Sequence, residues 1–149
     1  MNIHQPYTLF HFSCAHSAPD IRRTGLILPG ALVGTSLRKL KRLSAEEQAA
    51  VSEVRSFAWF TDLQPPAPRG PLGLTMQTIH CDRTEFCFEI EPDWEGGNLH
   101  WWMHVRREHE RLLQLEQDEH AMPRHWFVSE KPVPVYREWD AKRGVPLDG

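Results

Sequence analysis

The residues best suited to chemistry stand near the start of the chain, in Leu9-Phe10-His11-Phe12-Ser13-Cys14. His11 and Ser13 are two apart, so on a strand they point to one face. A polar pair on an apolar strand costs free energy unless something satisfies it. Such a pair can hold a ribose or a ligand amide. It also fits a core histidine bonded to a backbone carbonyl beside a packed serine. Trp59 and Thr61, in Phe57-Ala58-Trp59-Phe60-Thr61, repeat the geometry. An aromatic ring and a hydroxyl on one face can stack a flat ligand and bond its substituent. They equally describe a core tryptophan with a strand-end threonine.

Other groupings are weaker. His11, Cys14 and His16 are neighbours in sequence, as are His80, Cys81 and Cys87. Zinc favours tight, regular Cys and His pairs, and no metal site is assigned. His100 and His104 have i, i+4 spacing without the glutamate of a His-Glu-x-x-His motif, which reads as a solvated helical face. Asp82-Arg83-Thr84-Glu85 offers a carboxylate or a guanidinium, or an Asp–Arg pair that fixes a loop. Arg38, Lys39, Lys41 and Arg42 form a basic cluster beside Arg22 and Arg23, suited to phosphate or to solvent. No glycine-rich phosphate loop and no Gly-x-Ser-x-Gly elbow is present.

These groups need elements to position them. Tyr7 to Ser13 reads as a strand. Ser17, Pro19 and Asp20 open a short helix that Gly25 ends, followed by Leu26 to Leu28 and a Pro-Gly turn. Residues 36–55 read as two helical pieces, the second opened by the capping box Ser44-Ala45-Glu46-Glu47. Phe57 to Thr61 is a strand, and Asp62 to Leu74 a Pro/Gly-rich loop of a length often functional. Thr84 to Ile90 alternates, with Phe86, Phe88 and Ile90 opposite Glu85, Cys87 and Glu89, as in a half-buried strand. His100 to Glu119 reads as mostly helical, with Trp102, Val105, His109, Leu112, Leu113 and Glu116 on one side. His125 to Ser129 and Val133 to Tyr136 close the domain as strands, and a loose tail is expected from Trp139. The pattern implies an α+β domain over 1–138 with a tail over 139–149.

The 149 residues suit one domain. A net charge of −3 gives no global reason for a polyanion partner. No run approaches the length of a membrane span, and the first residues lack the regions of a secretory signal. Three cysteines without framework spacing point to reduced thiols and a cytoplasmic setting. Six tryptophans imply a core or cleft built on large flat surfaces, or an interaction surface through Trp94, Trp101 and Trp102.

Three pieces together resemble the ADP-ribosyltransferase superfamily: His11-Phe12-Ser13, then Ile21-Arg22-Arg23-Thr24-Gly25-Leu26-Ile27-Leu28-Pro29, then Trp59-Phe60-Thr61. The forms with a first-strand histidine are the most similar: diphtheria-toxin-like transferases, DNA-modifying transferases and tRNA 2'-phosphotransferases. Trp126-Phe127-Val128 with Pro132-Val133-Pro134-Val135 is similar to the last strands of that family. The resemblance covers about the first 60 residues well and is loose elsewhere.

The resemblance implies a split antiparallel sheet with peripheral helices and a cleft for NAD. It implies cofactor contacts from His11, Ser13, Arg22, Trp59 and Thr61, with Trp59 stacked on nicotinamide. It implies transfer of ADP-ribose to a protein or nucleic-acid acceptor. The family's late-strand glutamate, which stabilises an oxocarbenium-like transition state, is replaced here by His125. A neutral imidazole lacks that charge. Either Glu85, Glu89 or Glu130 reaches in, or the chain is a nucleotide- or macromolecule-binding protein on the same scaffold. Arg22, Arg83 and Arg124 are the basic residues that a phosphotransferase would use.

Overall fold

A computed structural model describes residues 5–29, 44–66, 77–78, 81–82, 84–96, 99–117 and 121–147. The first expected helical piece with its basic cluster at residues 38–42, Arg83, and the whole of the expected loop after Pro66 lie outside them.

Eleven strands and three α-helices follow the order β1 Leu9–Ser13, α1 Ala18–Thr24, β2 Leu26–Ile27, α2 Ala45–Arg55, β3 Ala58–Thr61, β4 Gln77–Thr78, β5 Cys81–Asp82, β6 Phe86–Ile90, β7 Leu99–Trp101, α3 Trp102–Val105, β8 Trp126–Ser129, β9 Val133–Pro134, β10 Arg137–Asp140 and β11 Val145–Pro146 among the described residues. Seven strands form one antiparallel sheet in the order β11-β10-β6-β1-β3-β8-β7, while β2–β9 and β4–β5 pair separately. The fold is therefore α+β with antiparallel sheets and peripheral helices, as the sequence implies.

Alternation along the central strands builds two cores, one on each face. Leu9, Ala58, Phe60, Phe88, Ile90 and Phe127 enter the first, which α1 and the β2–β9 pair cover with Ala18, Ile21, Ile27 and Val133. Phe10, Phe12, Phe57, Cys87, Trp126 and Val128 enter the second, which Trp102, Leu112 and the half-buried Val54 of α2 cover. β6 shows the consequence. Phe88 and Ile90 face one core as expected, but Cys87 and Glu89 are buried as well. The strand is covered on both faces rather than half-buried.

Local signals work where the chemistry is local. Gly25 ends α1 at φ 70°, the left-handed conformation a helix stop requires. Ser44 and Glu47 cap α2 reciprocally. Ser17 precedes α1 but makes no side-chain capping bond.

Two expectations are corrected. Residues 99–117 are not one helix: Leu99–Trp101 pair with β8, α3 makes one turn, and Arg106–Glu108 and Glu110–Gln117 are 3₁₀ helices. The expected buried side survives in the irregular backbone, since Trp102 and Leu112 are fully buried. The segment from Trp139 is not a loose tail. β10 pairs with β6 and β11 pairs with β10, and the Trp139 ring lies edge-on to Phe10 at 5.2 Å.

Candidate functional site

The two strands that carry the expected cofactor residues are neighbours. β1 and β3 pair antiparallel with Phe10 opposite Thr61. The pleat then sets His11 level with Phe60 and turns Trp59 to the face of Phe10 and Phe12. The rings agree. His11 lies 5.7 Å from Phe60, while Trp59 lies 5.2 Å from Trp102 and 6.0 Å from Trp126. His11 and Trp59 thus occupy opposite faces of the sheet. This corrects the expectation of one cleft holding both, because no single ligand on one face meets the imidazole and the indole together.

Along β1, His11 alone keeps partial exposure. Its Nδ1 donates to the Trp59 carbonyl oxygen at 2.7 Å. That bond places the proton on Nδ1 and fixes the ring's orientation. Ser13 is buried beside it. Trp59 is half-buried, and its Nε1 donates to the Val54 carbonyl. Thr61 is buried, and its hydroxyl accepts from the Leu63 amide at 3.1 Å. Arg22 lies at the surface, where its Nε and Nη2 donate to both Glu138 oxygens at 2.7 Å. The Glu138 hydrogen bond holds the guanidinium pKa above its usual value, outweighing partial burial, and the carboxylate charge adds to it.

The expected carboxylates do not gather at His11. Glu85 is exposed just before β6, and Glu130 is exposed just after β8. Glu89 pairs with Phe10, so it faces away from His11. It accepts from Arg137 Nε at 2.8 Å and Trp139 Nε1 at 2.6 Å.

His125 has a partner that the sequence reading missed. Its Nδ1 lies 2.7 Å from Asp62 Oδ1. Thr61 opposes Trp126 in the β3–β8 ladder, so Asp62 and His125 stand one residue beyond the same rung. The signal was present once those two strands were known to pair. Beside them, Trp101 Nε1 donates to the Arg124 carbonyl at 2.8 Å, and His104 packs edge-on to Trp101.

The cysteines differ from the reduced set expected. Cys14 is disulfide-bonded. Cys87 is a free thiol buried in the sheet, and burial pushes its pKa far up, with Glu89 and Glu138 adding to the effect. The proposed tryptophan surface is also corrected in part: Trp102 is fully buried, while Trp94 and Trp101 are only half-covered. Among the described residues no three His, Cys, Asp or Glu side chains converge as metal ligands, and no helix is long and apolar enough to cross a membrane.

Comparison of the chain with protein-family models, with curated proteins and with solved structures gives no match.

Proposed function

We propose that the chain is a nucleotide-binding protein on a scaffold resembling the ADP-ribosyltransferases, with its ligand on the His11 face of the sheet. The observation that carries this reading is His11 itself. It is the one residue of β1 that keeps partial exposure, and its ring is held in one orientation by the Trp59 carbonyl. A preoriented imidazole on a rigid central strand suits recognition of a ribose hydroxyl. The placement of Glu85 and Glu130 at exposed positions outside the strands favours binding over turnover. Calorimetric titration of the full chain with NAD tests the reading. Heat that is lost in His11→Ala, in a variant that still unfolds cooperatively, is the expected result. Absence of heat from the unmodified chain refutes it.

A second reading, NAD-dependent transfer of ADP-ribose to a protein or nucleic-acid acceptor, is favoured by one specific feature. The Asp62–His125 pair brings a carboxylate against the residue that replaces the family's glutamate. Release of nicotinamide distinguishes transfer from binding alone.

A further inference from the structure

We propose that Asp62 and His125 form an acid–base dyad in which His125 takes the proton of the acceptor during ADP-ribose transfer. The proposal rests on the transfer reading and names the part of that site which handles the proton. β3 ends at Thr61 and β8 begins at Trp126, and these residues are paired. Asp62 and His125 extend that rung by one residue each. Two central strands therefore hold together groups 63 positions apart. The side chains are 30% and 38% exposed, sheltered but open to a substrate. Asp62 follows Phe60, the residue level with His11, by two positions.

The chemistry follows from the bond. Asp62 Oδ1 accepts from His125 Nδ1, so the neutral imidazole carries its proton there and offers the Nε2 lone pair outward. When Nε2 gains a proton, the Asp62 carboxylate stabilises the imidazolium, the role an aspartate plays behind a histidine base. In the transfer step the acceptor oxygen bonds to the ribose carbon as that carbon's bond to the nicotinamide nitrogen breaks. The released electron pair neutralises the pyridinium, and nicotinamide leaves. The acceptor proton passes to His125 Nε2 and then to solvent. His125 is thus the catalytic residue and Asp62 its positioning residue.

The test uses the full chain with NAD as probe and water as acceptor, following nicotinamide release and NAD affinity in parallel. His125→Asn is expected to lower kcat about 100-fold, within the range of a lost general base, with KM and Kd unchanged. Asp62→Asn, which keeps the shape of the side chain, is expected to lower kcat about tenfold at unchanged KM. It carries the test should His125→Asn fail to fold. Release that survives both substitutions overturns the dyad and leaves transfer standing. NAD that binds without release overturns the dyad and transfer together, leaving binding. An unmodified chain that neither binds nor cleaves NAD overturns all three.

Discussion

Trp102 and Trp126 are both fully buried in the second core, their rings 6.2 Å apart, yet their indole nitrogens meet different fates. Trp102 Nε1 donates to Glu116 Oε2 at 2.9 Å, whereas Trp126 Nε1 is buried without a hydrogen-bond partner among the described residues. An unmet buried donor costs about 1–3 kcal/mol, and a bond to a charged group is worth about 1.5–3 kcal/mol. Changing tryptophan to phenylalanine removes similar volume at either site. Trp102→Phe also discards a charged bond, while Trp126→Phe discards an orphan. Denaturant titration should find Trp102→Phe the more damaging by about 2.5–6 kcal/mol, because the lost bond and the relieved penalty add. Equal losses would mean that the Trp126 nitrogen is satisfied in solution.

Elements show where sequence suffices and where it does not. Gly25 and Gly144 both have φ 70°. At Gly25 an added Cβ meets open space, so alanine costs only the backbone term, about 1 kcal/mol. At Gly144 the same Cβ runs into the Pro65 carbonyl, so Gly144→Ala should unfold at clearly lower denaturant than Gly25→Ala. The Gly25 stop and the Ser44 cap were legible because each is settled within a few residues. The helix expected over His100–Glu119 was not, because pairing of Leu99–Trp101 with β8 overrides the helical period. β10 and β11 were illegible for a similar reason, being short and dependent on β6. The Asp62–His125 pair needed the β3–β8 register, which no local pattern in either segment specifies. The 3₁₀ segment after α3 is tied down by charge. Arg106 donates to both Glu116 oxygens, at 2.8 and 2.9 Å. Burial alone raises the Glu116 pKa, but the bonds from Arg106 and Trp102 and the Arg106 charge outweigh it, and the net shift is downward. A depressed carboxylate stabilises the fold above its unfolded pKa, and that contribution is lost as pH falls through the folded value. Glu116→Gln should lower Tm by about 2–4 °C at neutral pH. The gap should narrow only as pH falls below the ordinary carboxylate range and through the depressed folded value, where both chains come to carry an uncharged side chain. A gap that persists there would assign the effect to shape rather than charge.

At the scale of the whole molecule, one sheet separates two cores, and this decides what a ligand can touch. His11 opens on the side of Phe60 and Phe127, while the Trp59 ring sits with Phe57, Trp102 and Trp126 on the other. The sheet is continuous through β6, β1, β3 and β8, so no ligand passes from one face to the other without breaking ladder bonds. A nucleotide on the His11 face therefore gains nothing from stacking on Trp59. The His11 ring bonds the Trp59 main-chain carbonyl, which Trp59→Phe keeps, and side chains on opposite faces that share no ligand make contributions additive within about 0.5 kcal/mol. In NAD titrations, Trp59→Phe should leave Kd within about twofold of the unmodified chain, because that tolerance corresponds to the same 0.5 kcal/mol. His11→Ala should abolish the binding heat, and adding Trp59→Phe to it should change nothing further. The indole still couples to stability through its bond to the Val54 carbonyl, so Trp59→Phe lowers Tm while sparing affinity. Loss of affinity in Trp59→Phe without loss of fold would place the nucleotide against the second core, and would move the site to the opposite side of the sheet.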